Sequence, residues 1–175
     1  MPSIPSDELA AAIGRDAGHE LADAMKRIHH CVDQLTGEQL WWREDESQNS
    51  IANLLLHLAG NLRQWIISGL GGVEDTRNRP AEFAERKPIG GDELLRQLDE
   101  VVQEAREVLA NMTAAEFLRV RKIQGFDVRG SRAMLGTVSH FQGHTQEIIH
   151  ITRHLLGERY QFYWQPQTPE QGAAE

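Results

Sequence analysis

Four of the chain's eight histidines fall in one stretch, His140-Phe-Gln-Gly-His144-Thr-Gln-Glu-Ile-Ile-His150-Ile-Thr-Arg-His154. It contains two HxxxH pairs, His140/His144 and His150/His154. On a helix this spacing places two imidazoles one turn apart on one side, close enough to share a divalent ion. The spacing alone is a weak signal in a histidine-rich chain, so the pairs must be separated by the face each occupies. At about 100° per residue, Met134, Phe141, Ile148, Thr152, Leu155 and Leu156 form one apolar face. His144 lies within roughly 70° of its centre, and His140 sits at its border. His150 falls nearly opposite and His154 well outside. The expectation is that His140 and His144 point inward, and that His150 and His154 point to solvent or a partner.

A further imidazole, His57, lies in the leucine-rich stretch "NSIANLLLHLAGNLRQW". A polar ring there must find a partner. It is either a third ligand converging on His140 and His144, or a core histidine bonded to a carbonyl or side chain.

The elements that must position these residues read as helical almost throughout. Leu9, Ile13, Ala17, Ala24, Ile28, Cys31 and Leu35 recur at three- and four-residue steps from a Ser6 cap, predicting a long helix ending near Thr36-Gly37. Asn49-Ser50 cap a second helix over about 50–68, stopped by Gly69, Gly71 and Gly72. A polar connection of about twenty residues, "GGVEDTRNRPAEFAERKPIGG", leads to a third helix from Asp92 to about Leu109. Thr113 caps a short helical segment, and "LRVRKIQGFDVRGS" reads as a small hairpin or an extended loop. Ser131 caps a fourth helix running to Leu156-Gly157. The prediction is an all-α protein, a four-helix bundle. The long connection is sufficient to span a bundle, so helices two and three are free to run parallel. Residues 1–160 form one domain, and 161–175 a loosely ordered tail.

Composition restricts the function classes. The chain has 175 residues, 40% apolar and 25% charged, with a net charge of −8. The acidic balance argues against a nucleic-acid surface, which needs basic clusters. No apolar run approaches a membrane span, and the N-terminus lacks a signal-peptide pattern. One cysteine, Cys31, excludes an internal disulfide and a multi-cysteine zinc site. A cytoplasmic protein is expected.

The order "NSIANLLLHLAGNLRQW", "RNRPAEF", "HFQGHTQEI" resembles the DinB/YfiT-like superfamily of metal-dependent enzymes, and one of its uncharacterised branches in particular, over most of the chain. The superfamily's histidine on helix two and HxxxH on helix four match His57, His140 and His144. The resemblance implies an up-down-down-up bundle and one divalent ion, nickel, zinc or iron, with open coordination positions. It also implies a homodimer acting on a small-molecule substrate, as a hydrolase or as a transferase or isomerase using a low-molecular-weight thiol. The sequence departs from the branch after His144, where Glu147 stands in place of a glutamine. That acid has the options of second-shell acceptor, fourth ligand, proton carrier or exposed residue; the helical wheel favours exposure or an edge contact.

Other candidates have structural readings beside functional ones. Asn61, one turn after His57, is placed to bond a ligand histidine or a substrate, or to bridge two helices. Gly60 implies close approach of another helix or room for a ligand near His57. Arg77 and Arg79, in the long connection, either bind a substrate carboxylate or phosphate or are solvated. Trp41 and Trp42 cover the bundle end or line a pocket. Glu147-x-x-His150 is half of a di-iron signature, but it faces outward and lacks a second such pair. No nucleophilic triad or phosphate loop is present, and no general base can be named. The sequence therefore leads to a three-histidine metalloenzyme, with a non-catalytic homodimeric bundle holding a structural metal or polar cluster as the alternative.

Overall fold

The computed structural model describes residues 5–164. The chain is mostly helical, in agreement with an all-α reading, and four long segments carry the core. Helix α1 spans Ser6–Val32 and is followed by the short α2, Gly37–Trp41. Helix α3, Ile51–Leu62, continues through a widened π-helical turn over Arg63–Ser68. Within the long connection lies α4, Arg79–Ala84. Helix α5 spans Gly91–Ala110, and the short α6 is Ala114–Leu118. A hairpin of β1, Val120–Ile123, and β2, Phe126–Arg129, leads directly into α7, Gly130–Leu156. Among the described residues no helix is long and apolar enough to cross a membrane.

The four long helices pack as a ring, with α1 against α5 and α7, and α3 against the same two. Cross-helix neighbours fix their directions. Gly14 meets Leu109 and Val32 meets Gly91, so α1 and α5 run antiparallel. Glu20 faces Gln142 and Cys31 faces Thr152, so α1 and α7 run parallel. Arg63 faces Glu104 while Gly71 abuts Val108, so α3 and its extension run alongside α5.

Several expectations need correcting. Helix α1 ends at Val32, because Thr36 is the N-cap of α2, where its hydroxyl and the Gln39 side chain form a reciprocal capping box. The inward stripe of α1 also begins differently: Leu9 and Ile13 are exposed, and Ala10, Gly14, Ala17 and Gly18 face inward. The reason is steric. A Cβ on Gly14 would lie 1.9 Å from the Leu109 carbonyl oxygen, so small residues are needed where α1 crosses α5. Helix α7 starts at Gly130 with Arg129 as its cap residue, not at a Ser131 cap, since β2 passes straight into the helix. The segment capped by Thr113 is helical, and its hydroxyl accepts from the Glu116 amide. Of the two forms open to residues 118–131 the hairpin is observed, turning on Gln124 and Gly125, both with positive φ.

At the start of the expected tail, Gln161 bonds to His30 of α1 and to Gln34 in the turn that follows it. Residues 165–175 lie outside the described residues.

Candidate metal centre

Site construction begins on α3, where the Ser50 hydroxyl accepts from the Asn53 amide and starts the helix. His57 follows one turn later and is 5% exposed. Its Nδ1 lies 3.0 Å from Glu82 Oε2. With the carboxylate as acceptor, Nδ1 carries the proton and Nε2 is left with its lone pair.

Glu82 belongs to α4, which is nucleated by an Asn78 cap and by Pro80 in its first turn. Asn53 Nδ2 donates to the carbonyls of Glu82 and Glu85, at 2.9 and 3.2 Å, and ties α4 to α3. Arg77 grips the same carboxylate through both oxygens, Nε to Oε1 at 2.7 Å and Nη2 to Oε2 at 2.8 Å. Its Nη1 donates to Gln64 Oε1 at 2.9 Å. Gly60 explains how a carboxylate fits against mid-helix: a Cβ there would lie 2.0 Å from Glu82 Oε1. The missing side chain makes room for an acid that holds His57.

His140 and His144 approach from α7. His140 Nε2 is 3.0 Å from His57 Nε2. His144 Nδ1 lies 2.7 Å from Glu147 Oε2, which leaves its Nε2 for the cluster. One candidate ligand atom from each of the three histidines lies within 4.8 Å of the others. Two nitrogens bound to one ion at about 2.0–2.1 Å are separated by about 3.0–3.4 Å, which the His57–His140 distance matches. Three imidazoles, those of His57 and His144 with their outer nitrogens held by carboxylates, suit a transition metal rather than magnesium or calcium. The residues fit a metal ion.

Burial and neighbouring charges favour the neutral form of two of the three histidines. Burial, then the neighbouring His144 and His57, then Arg77 and Arg79, push His140 down to about 4. Burial also lowers His57, opposed in part by its hydrogen bond to Glu82. The hydrogen bond to His144 holds the Glu147 carboxyl below the usual range.

A cleft of about 930 Å³ opens over His57 and His140, with Asn61, Trp65, Arg79, Phe126 and Arg132 among its walls. It leads from solvent to the imidazoles.

The family model for DUF1572, described as a protein of unknown function, matches residues 10–168. The chain belongs to the DUF1572 family. That match spans every residue of the cluster and cleft. No curated protein matches the chain.

In this DUF1572 protein the histidines separate as their faces require. His150 and His154 are exposed, and His154 lies against the Trp42 ring with centroids 5.7 Å apart. Glu147, expected to be exposed or an edge contact, is largely exposed yet bonds His144. Asn61 lines the cleft, and among the described residues its side chain makes no hydrogen bond. Arg77 is neither solvated nor free for a substrate: its side chain is 2% exposed and committed to Glu82. Arg79 is exposed, with its guanidinium 4.9 Å from the Phe83 ring centroid. Trp41 donates to the Ile89 carbonyl, away from the cleft. Sequence reasoning missed Glu82, Gln64 and Phe83, whose ring lies 4.8 Å from that of His57. The signal was Gly60, a mid-helix glycine beside a buried histidine.

Proposed function

We propose that this protein is a metal-dependent enzyme of the DinB/YfiT-like type, a single-domain four-helix bundle in the up-down-down-up arrangement. The helix pairings support that arrangement. One divalent ion (zinc, nickel or iron) is held by His57, His140 and His144. The observation carrying the reading is that three imidazoles converge beside an open cleft lined by His57 and His140, with the outer nitrogens of His57 and His144 on carboxylates. A bound ion would supply a Lewis acid that lowers the pKa of a coordinated water or thiol, or polarises a substrate oxygen.

The chain's own residues do the rest. Glu82 and Glu147 fix the tautomers of His57 and His144. Arg77 holds Glu82 in place through both carboxylate oxygens. Asn61 offers an amide to the substrate, and Trp65 and Phe126 limit water around it. The reaction class is hydrolysis, or transfer or isomerisation with a low-molecular-weight thiol such as bacillithiol or mycothiol. The resemblance also supports a homodimer.

A second reading has its own support. The 3.0 Å between His57 and His140 is also a hydrogen-bond distance when one nitrogen carries a proton, and it closes a polar network with Glu82 and Arg77. In that reading the bundle is non-catalytic and the cluster structural. The test is a screen of zinc-, nickel- and iron-loaded protein against ester, amide and phosphate hydrolysis and thiol transfer. Turnover that needs the ion and disappears in a folded His144→Ala variant supports the enzyme. Bound ion that raises Tm but gives no turnover with any substrate class supports the structural reading.

A further inference from the structure

The cleft over His57 and His140 is lined by more basic than acidic residues. The chain has 26 acidic and 18 basic residues, so its overall balance is negative. Yet three arginines line this cleft, Arg77, Arg79 and Arg132, against one acid, Asp127. Arg77 is neutralised by Glu82. Arg79 and Arg132 make no ion pair or hydrogen bond with any described residue. Arg79 instead rests on Phe83, which in turn packs against His57, so the guanidinium is held beside the cluster. Arg132 approaches from the first turn of α7, on the hairpin side of the opening. The same lining includes the apolar side chains of Trp65, Val128, Leu135 and an exposed Phe126.

We propose that the cleft selects a small amphipathic organic anion. Its carboxylate or phosphate oxygens pair with Arg79 and Arg132, and its apolar body lies on Trp65 and Phe126. A planar guanidinium presents paired donors matched to such oxygens. The proposal rests on the reading that this cleft is the substrate site. It narrows the substrate class from any small molecule to an anion with an apolar portion, and assigns the pairing role to Arg79 and Arg132 rather than Arg77.

The test is calorimetric titration of the purified protein with phenylacetate and phenyl phosphate, and with the uncharged phenylacetamide. The same samples are analysed for bound metal. Both anions, or the one whose headgroup fits, bind at least about tenfold more tightly than the amide. Arg79→Gln and Arg132→Gln each weaken the anion by about tenfold, leave the amide unchanged and retain the wild-type metal content. Arg153→Gln, on the far part of α7, changes nothing. The relative affinity of the two anions distinguishes a carboxylate from a phosphate site. Equal binding of anion and amide, or full anion affinity in both arginine variants, overturns the proposal. Metal-free protein whose anion binding still depends on the two arginines would contradict the metal reading alone.

Discussion

Gly60→Ala gives opposite results depending on whether the Glu82 carboxylate is fixed. Replacing a mid-helix glycine by alanine ordinarily stabilises a helix by about 1 kcal/mol. Here the new methyl would lie 2.0 Å from Glu82 Oε1, 2.8 Å from its Cδ and 3.0 Å from Arg77 Nε. A free carboxylate would swing away at little cost. This one is gripped through both oxygens by Arg77, accepts from His57, and is fixed at its backbone by Asn53. Overpacking of this kind costs about 1–3 kcal/mol. Separating Glu82 from an arginine side chain that is 2% exposed adds a share of the roughly 3–5 kcal/mol of a broken buried pair. After the helix gain, the net expectation is a loss of about 2 kcal/mol, or about 4–8 °C in Tm for a chain of this size. Misplacing Glu82 also releases His57 Nδ1, which weakens metal affinity by about 10- to 100-fold. Urea unfolding of the metal-free protein and competitive zinc titration measure the two effects. The double variant Gly60→Ala, Glu82→Ala is the control. With the carboxylate gone, alanine at position 60 is expected to be stabilising relative to Glu82→Ala alone. A single Gly60→Ala variant more stable than wild type by about 1 kcal/mol, with unchanged zinc affinity, would refute the reasoning.

Two further outcomes are expected. His140 has an ordinary value of 6.5 and is held at about 4 in the folded protein, so the unfolded chain binds the extra proton between those values. Metal-free protein therefore gains stability as pH rises from about 4 to 6.5 and levels off above, and His140→Gln makes that rise shallower in urea unfolding followed across pH. Cys31 is fully buried and burial raises its thiol, so the folded protein reacts with an aromatic disulfide reagent only at its unfolding rate, whereas urea-unfolded protein reacts at once.

The residues most legible in the sequence were those whose role follows from helical periodicity. His140 and His144 were distinguished from His150 and His154 by angle alone, and His57 by the apolar helix around it. Periodicity failed where contacts between helices override hydrophobicity. Leu9 and Ile13 have the right spacing for the core, but the close crossing at Gly14 admits only small residues, and the stripe shifts. Chain geometry in the long connection was hidden for a different reason. Arg77 and Glu82 are charged residues in a polar segment, and only the fold shows that α4 docks on α3 and buries them. Gly60 marked the docking place without naming the partner. Arg132 was overlooked because its relevance depends on the hairpin that forms the cleft wall, and a hairpin was only one of two readings of that segment.

The central claim is that His57, His140 and His144 bind one metal ion and that the second HxxxH pair does not. Elemental analysis of purified, untagged protein alongside His57→Ala and His150→Ala tests it most directly. The account predicts about one zinc, nickel or iron per chain in wild type and in His150→Ala, and loss of that metal in a folded His57→Ala. Wild-type protein that is metal-free and rejects all three added ions, or that keeps its ion in His57→Ala and loses it in His150→Ala, would contradict it.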